Sequence, residues 1–299
     1  MSQPAPSVTA IVLHWGEPEV TKRCLRSLLA GAGDGLSVMV VDSAAAADWA
    51  ALDSRGRIEV LQPSRNEGYA GGNNLALRAA RERGAGFALL LNNDAEIDSD
   101  TLPNLLGCAE QDPRIALVGG RLTAPDDPGH DAGSFGRVTY GPFLVAIGDG
   151  APAGPARDVE WVSGCGVLVR LAALADIGLM DEDFFLYCED IDWCTRARRL
   201  GYRVLYEPRA VISHRPPTSL AAICRRSYFL ARNGLLFARK HGTRRERLKI
   251  SIAAVILPAA SLVRRLVAGE PLVASAWVAR GVIDGFLRRP PRLRQLGLR

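Results

Sequence analysis

LLLNNDAEID (Leu89–Asp98) runs three leucines straight into Asn92, Asn93 and Asp94, and then into further acid. An apolar run that stops in amides and carboxylates is either a buried strand delivering polar groups to a site or a strand ending in a solvated turn. The neighbouring chain decides between them. VTAIVLHW (Val8–Trp15), SVMVVD (Ser37–Asp42), IEVLQ (Ile58–Gln62) and FALLLN (Phe87–Asn92) are apolar and largely without alternation, the pattern of strands buried on both faces and therefore parallel. Between them, Val20–Ala30 and Gly72–Arg83 carry Leu25, Leu28, Leu29 and Leu75, Leu77, Ala79 at helical spacing. This alternation predicts an α/β fold, a mostly parallel central sheet flanked by helices, with ligands at the carboxyl ends of the strands.

Further along, residues 124–158 are rich in Pro, Gly and Asp and read as loops, with a short strand at Arg137–Tyr140. Trp161–Arg170 returns to strand character. Asp190–Gly201 reads as a helix stopped by Gly201, with Asp192 and Arg196 spaced to pair on its surface. YRVLY and AVISH read as two short strands. From Leu220 the pattern is helical to the end, which divides the chain into residues 1–219 and a helical extension, 220–299.

Charge separates the same two parts. Residues 1–208 hold 18 Lys/Arg against 29 Asp/Glu, and residues 209–299 hold 19 against 3. An acidic front suits metal and sugar chemistry, whereas an arginine-rich back suits phosphates or an anionic membrane face. Ile250–Val263 is apolar, contains Pro258 and lies between Lys249 and Arg264. Its fourteen residues fall short of the roughly 18 that a spanning helix needs, so it reads as an interfacial helix, or as one packed in the core or in a homo-oligomer. The basic tail lacks interleaved stacking aromatics, so nucleic acid is not an expected partner. The six cysteines are scattered without a Cys-x-x-Cys pair, which fits a reducing cytosol. Residues 1–15 lack the basic and long apolar regions of a secretory signal.

Four clusters with chemical potential fall at strand ends. Asp42 closes a strand, where it can accept from a nucleobase or cap a turn. NEGYAGGNN (Asn66–Asn74) is a Gly-rich turn opening a helix, either a cradle for phosphate and sugar hydroxyls or a plain turn. Asn92, Asn93 and Asp94 offer oxygen ligands for Mg²⁺ or Mn²⁺, or form an Asx turn. MDEDFFLYCEDIDW (Met180–Trp193) sets Glu189, Asp190 and Asp192 at a helix start behind an aromatic lead-in that would raise a carboxyl's pKa and make it a better base. His214 ends AVISH, as a structural histidine or a metal ligand.

Together and in this order, NEGYAGGNN, LLLNND, VSGCGVLVR, IGLMDEDFFLYCEDIDWCTRARRLGYRVLYEP and VISHRPPTS resemble the family 2 glycosyltransferases of the GT-A fold, in particular their rhamnosyltransferase-like branch. The likeness runs from Val8 to about Ser219. It implies a nucleotide-diphospho-sugar transferase in which Asp190 is the general base. His14, Trp15, Asp42, Asn66, Gly68, Gly72, Asn73 and Asn93 would bind the nucleotide-sugar. Asp94, His214 and Asn92 would hold Mg²⁺ or Mn²⁺, and Trp161, Glu189 and Arg170 would lie near the acceptor. Arg232 and Asn233 in the helix after the histidine would face a diphosphate or lipid phosphate, or else belong to a solvated basic face.

The implied reaction is a single inverting displacement by a metal-dependent hexosyltransferase of the cytoplasmic face of the cell membrane. Its donor would be a nucleotide-sugar, with dTDP-rhamnose as a candidate. Its acceptor would be a glycan or a polyprenyl-diphosphate-linked glycan of the cell envelope. Two departures stand out: Asn92 occupies the first position of the Asp-x-Asp pattern, and SAAAADWA follows Asp42. They motivate the alternative, a non-catalytic nucleotide-sugar-binding or membrane-associated module on the same fold.

Overall fold

The computed structural model describes residues 7–31, 35–131, 133–140, 145–147, 154–215, 217–291 and 293–298. The reading of residues 1–6 as lacking a signal, and parts of the expected loop 124–158, lie outside these. The strands are β1 (Val8–Leu13), β2 (Leu36–Val41), β3 (Ile58–Leu61), β4 (Phe87–Asn92), β5 (Ala95–Ile97), β6 (Ile115–Ala124), β7 (Asp127–Asp131), β8 (Phe135–Val138), β9 (Val145–Ile147), β10 (Arg157–Asp158), β11 (Trp161–Val162), β12 (Gly166–Arg170) and β13 (Arg203–His214). The helices are α1 (Pro18–Gly31), α2 (Gly68–Glu82), α3 (Thr101–Ala109), α4 (Leu174–Ile177), α5 (Glu189–Arg199), α6 (Leu220–His241), α7 (Arg244–Ala268) and α8 (Val273–Phe286).

The main sheet runs β10-β13-β6-β12-β4-β1-β2-β3. β3, β2, β1 and β4 are parallel, as are β6 and β13, and β12 runs against both of its neighbours. β4 shows why the apolar run is continuous. Ala88 and Leu90 enter the core on one face, and Phe87, Leu89 and Leu91 enter the core on the other. Each fully buried leucine there contributes roughly 1.5–3 kcal/mol relative to exposure.

Several expectations change. WVSGCGVLVR is two strands, β11 and β12, parted by the turn at Ser163–Cys165. YRVLY and AVISH are one strand, β13, whose register shifts between Glu207 and Val211; Pro208 falls at that irregularity, where a missing N–H is tolerated. α2 begins at Gly68, one turn before the expected start. Residues 124–158 contain β7 to β10 as well as loops.

The C-terminal region is three helices, parted after His241 and after Ala268. Thr243 opens α7 with a capping box to Glu246, satisfying two orphan donors. α7 carries Pro258 without breaking and reaches 25 residues, roughly 37 Å at 1.5 Å per residue. It is therefore long and apolar enough to cross a membrane, beyond the fourteen-residue run read from the sequence.

Candidate active site

Because β1, β2 and β4 are paired in parallel, the residues that follow them meet along one edge. After β1, His14 places Nδ1 2.8 Å from Thr21 Oγ1 and lays its ring against Trp49, 4.7 Å between centroids. Burial lowers the pKa of His14, and the Asp42 carboxylate opposes this. Trp15 is 43% exposed. Asn93 ties the ends of β4 and β1 together, donating from Nδ2 to the Trp15 carbonyl and to Thr21 Oγ1, both at 2.8 Å.

Asp42 does not present a free carboxylate to this edge. It is buried and accepts from Ala44 N–H (2.9 Å), Ala46 N–H (2.7 Å) and Trp49 Nε1–H (2.8 Å). Burial works against its charge, but these donors outweigh it and hold the carboxyl below its ordinary range. The departure SAAAADW is thus a loop wrapped around its own acid. Asp42 engages both carboxylate oxygens within its own loop, where the family resemblance expects it to meet the nucleobase.

At the end of β4, Asn92 N–H donates to the Cys165 carbonyl (2.9 Å). The chain then reverses into β5, which pairs antiparallel with the end of β13 so that Ala95 faces His214. This pairing brings together Asp94 and His214, with Nε2 3.3 Å from Oδ1. That contact makes no hydrogen bond, and Asp94 Oδ1 is a buried oxygen without a hydrogen-bond partner, a costly state for a carboxylate unless a cation or donor meets it. A carboxylate oxygen and an imidazole nitrogen suit Mn²⁺ and are compatible with Mg²⁺. Among the described residues no group of three or more His, Cys, Asp or Glu could hold a metal. A cation here would draw its remaining ligands from substrate phosphates and water, as such ions commonly do. The two side chains fit that arrangement.

The acidic helix start is built on a bent loop. Phe185, Tyr187 and Cys188 have φ of 63°, 66° and 74°, the left-handed region that non-glycine residues enter only when held there. The loop presents Asp190, half-buried, to the β11–β12 turn. Its Oδ2 accepts from Gly164 N–H (3.0 Å) and its Oδ1 from Ile191 N–H (2.8 Å). The Gly164 carbonyl in turn accepts from Tyr69 Oη–H at 2.5 Å, and a Cβ at Gly164 would lie 3.0 Å from that hydroxyl.

Glu189 is 4% exposed and its Oε2 has no partner. Burial pushes both carboxyls up, and for Glu189 the charge of Asp190 pushes further. Asp190 has the N–H groups of Gly164 and Ile191 to stabilise its anion. Of the two, Asp190 is the more exposed and has its carboxylate held by N–H groups, so it is the better placed to carry negative charge. An anion with a raised pKa is a stronger general base.

Asp190 and the Asp94–His214 pair share a neighbour. The Cys165 thiol is pushed up by burial, then by Asp94, with Asp190 also contributing. One route joins them: Asp190 to Gly164, Gly164 to Cys165, and the Cys165 carbonyl to Asn92.

Other expected site residues lie elsewhere. Gly68 has φ 72°, and a Cβ there would meet the Phe185 carbonyl at 2.5 Å; Ala70 N–H also donates to that carbonyl. Asn66 accepts from Gly68 N–H at 2.9 Å, making the turn. Gly72 lets α2 close on β1, since a Cβ would lie 2.7 Å from Leu13 Cδ2. Asn73 is buried and donates to the Tyr69 carbonyl at 2.9 Å. Asn66, Gly68, Gly72 and Asn73 thus make contacts within the protein, Gly68 against Phe185 and Gly72 against β1.

Arg170 ends β12 opposite Phe87, the first residue of β4. It donates from Nε to the Ile115 carbonyl at 2.9 Å and stacks its guanidinium 4.8 Å from the Phe87 centroid. Because β12 is antiparallel to β4, it carries Arg170 about 13 Å away from the turn, to the wrong end of the sheet for an acceptor contact. Trp161 is buried in β11, against α5, and its Nε1–H has no partner.

The Asp192–Arg196 pair forms at 2.9 Å, but inside the protein. Asp192 is fully buried and also meets Lys240 Nζ at 2.8 Å and His241 Nε2 at 2.6 Å. Arg232 and Asn233 are buried as well; Arg232 donates to the Asp183 and Arg289 carbonyls, and Asn233 to carbonyls of the loop before Asp190. They do not form a solvated basic face. Tyr69 and Gly164 lie in motifs visible in the sequence, yet nothing in their spacing distinguishes them from their neighbours.

A sequence model described as glycosyltransferase like family 2 matches residues 4–228, and the chain belongs to that family. A pre-mycofactocin glycosyltransferase of Mycobacterium tuberculosis is 30% identical over 230 residues, covering 74% of this chain and 46% of the relative. An N-acetylglucosaminyl-diphospho-decaprenol L-rhamnosyltransferase of the same organism is 27% identical over 168 residues, covering 48% of this chain and 55% of the relative. The chain spans about half the length of these curated relatives. Among solved structures, a mannosyltransferase of Pyrobaculum calidifontis in complex with GDP-Man and Mn²⁺ superposes with TM-score 0.63 at 19% identity, covering 95% of this chain and 88% of that one. The fold is thus GT-A, with three helices at its C-terminal end.

Proposed function

We propose that this protein is a metal-dependent inverting hexosyltransferase that moves a sugar from a nucleotide-diphosphate donor to a glycan or polyprenyl-diphosphate-linked acceptor. The observation that carries this reading is the held carboxylate of Asp190, close along the chain route to the orphaned Asp94 oxygen and His214. In the proposed reaction Asp190 removes the proton of an acceptor hydroxyl. The acceptor oxygen bonds to the anomeric carbon as the bond to the diphosphate oxygen breaks on the opposite face, inverting the centre. Asp94 and His214 would hold Mn²⁺ or Mg²⁺, which when bound neutralises charge on the departing diphosphate. A second carboxylic acid is then unnecessary, and Glu189 and Trp161 are assigned to the acceptor side.

His14, Trp15 and Asn93 line the donor side. dTDP-rhamnose is the first donor to test, on the strength of the rhamnosyltransferase name of one relative. Melting the protein against a panel of nucleotide-sugars with and without Mn²⁺ tests donor binding, because a ligand bound only by the folded state raises the melting temperature. The expected result is a metal-dependent rise for one sugar class, and no rise with any donor contradicts the proposal. Asn92, an amide at the first position of the Asp-x-Asp pattern, favours a second reading, a donor-binding module without turnover. A donor that binds but releases no diphosphate, with no effect of Asp190→Asn, would select it.

The same reading divides the chain into a catalytic part, 1–219, and a basic helical part, 220–299, that meets the inner face of the cell membrane. α7 supports this division. It buries only Ile250, Ala254 and Arg265, and it exposes Ile252, Val255, Ile256, Val263, Leu266 and Val267. That apolar face has exposed Arg244, Arg245, Arg247 and Lys249 at one end. Such a face binds anionic bilayers by apolar burial plus charge. Cosedimentation should be strong with vesicles containing anionic lipid, weak with neutral ones, and lost in a Val255→Glu/Ile256→Glu/Val263→Glu variant. Equal binding of that variant and the parent contradicts membrane contact through α7.

A further inference from the structure

We propose that Asn233, oriented by Arg232, is the positioning residue for the base, so that the first C-terminal helix sets the geometry of Asp190; this rests on the reading of Asp190 as that base. Asn233 is fully buried in α6, and its single side-chain amide donates to three carbonyls of the base loop: Phe184 (2.8 Å), Leu186 (2.9 Å) and Tyr187 (2.7 Å). With two N–H bonds for three acceptors, at least one is shared. These carbonyls belong to or border the residues held at positive φ, Phe185, Tyr187 and Cys188.

Strained backbone of this kind reverts unless its surroundings over-determine it. Asn233 supplies that determination from outside the loop, immediately before Glu189 and Asp190. Its amide orientation is fixed in turn. Arg232 Nη1 donates to Asn233 Oδ1 at 2.6 Å and to the Asp183 carbonyl at 2.8 Å, while Arg232 Nε donates to the Arg289 carbonyl at 3.1 Å. An aspartate at 233 would offer acceptors to three acceptors, and a leucine none of the donors. The loop is also clasped from the other side, where Ala70 N–H donates to the Phe185 carbonyl. The fold therefore survives loss of the amide while the aim of Asp190 is loosened.

The test uses the full chain as Asn233→Ala and, as a milder change that keeps the charge, Arg232→Lys, with Asp190→Asn alongside. Misplacing a reacting group by about 1 Å costs on the order of 10²-fold. Asn233→Ala should accordingly lower kcat by about 10- to 100-fold, and Arg232→Lys by several-fold, while the KM for donor changes less than about twofold. The acid limb of the kcat profile should move toward lower pH, since a loosened loop hydrates Asp190 and relieves the burial that raises its pKa. In an Asn233→Ala background, Cys188→Gly should restore part of kcat, because glycine takes a left-handed φ without strain. A merely structural role would predict lower melting temperature with no shift of the pH limb and no rescue. Wild-type kcat and pH profile in both folded variants, with Asp190→Asn inactive, would overturn the positioning role alone. Activity in Asp190→Asn would overturn the base assignment itself.

Discussion

Asp190→Asn lowers kcat by about 10²–10⁴-fold, the usual contribution of a positioned general base, and leaves the donor-induced rise in melting temperature intact. The amide can still accept from Gly164 N–H, so the loop keeps its shape, but it cannot take the acceptor's proton. The pH dependence has a definite sign. Asp190 acts as the anion, and burial raises its pKa. Activity is present above that raised value and is lost as the pH falls through it, so the acid limb lies above the value of a free aspartate. Stability runs the other way, because a carboxyl whose pKa is raised by folding favours the folded state below its unfolded value and loses that contribution as the pH rises through the folded value. Steady-state rates from pH 4 to 8 beside melting curves over the same range separate the two effects. An acid limb at or below the value for a free aspartate would contradict a buried base.

The second large effect is expected at Asp94. Removing its carboxylate leaves His214 as the single strong protein ligand, and several kcal/mol of transition-state charge stabilisation go with the cation, on the order of 10³-fold in rate. Added Mn²⁺ should not restore Asp94→Ala. Asn92→Asp should act in the opposite direction, since a second charged oxygen beside Asp94 raises affinity for a hard cation; a lower Mn²⁺ concentration for half-maximal rate is the readout. Full metal-dependent activity in Asp94→Ala, or an unchanged Mn²⁺ requirement in Asn92→Asp, would remove Asp94 and Asn92 from the cation site.

The continuous apolar runs of β1, β2 and β4 were legible because burial on both faces leaves no alternation to misread. Ile115–Ala124 went unassigned, and its centre is Gly119–Gly120, a pair that weakens a strand pattern. In the fold a Cβ at Gly119 would lie 2.5 Å from Val162 Cβ and one at Gly120 2.6 Å from the Ala210 carbonyl, so the glycines permit close packing inside a strand. Arg170 misled for another reason: a strand's residues are visible in sequence and its direction is not. In NEGYAGGNN, Gly68 packs against Phe185, more than a hundred residues away, and Gly72 against Leu13, contacts that are invisible in the motif itself. The approach of Asp94 to His214 depends on β5 pairing with β13, a long-range contact that no local pattern encodes. What local pattern did carry was the acidic start of α5 behind its aromatic lead-in, and Asp190 is found where that pattern expects it.

Release of nucleoside diphosphate is the most direct measurement, with purified protein, Mn²⁺, a nucleotide-sugar panel beginning with dTDP-rhamnose, and a polyprenyl-diphosphate-linked glycan acceptor. The expected result is acceptor-dependent release with one donor, an inverted anomeric centre in the product, and loss of the signal in Asp190→Asn and Asp94→Ala. Release that is undiminished in both variants, or a product of retained configuration, would contradict a metal-assisted inverting transfer with Asp190 as its base.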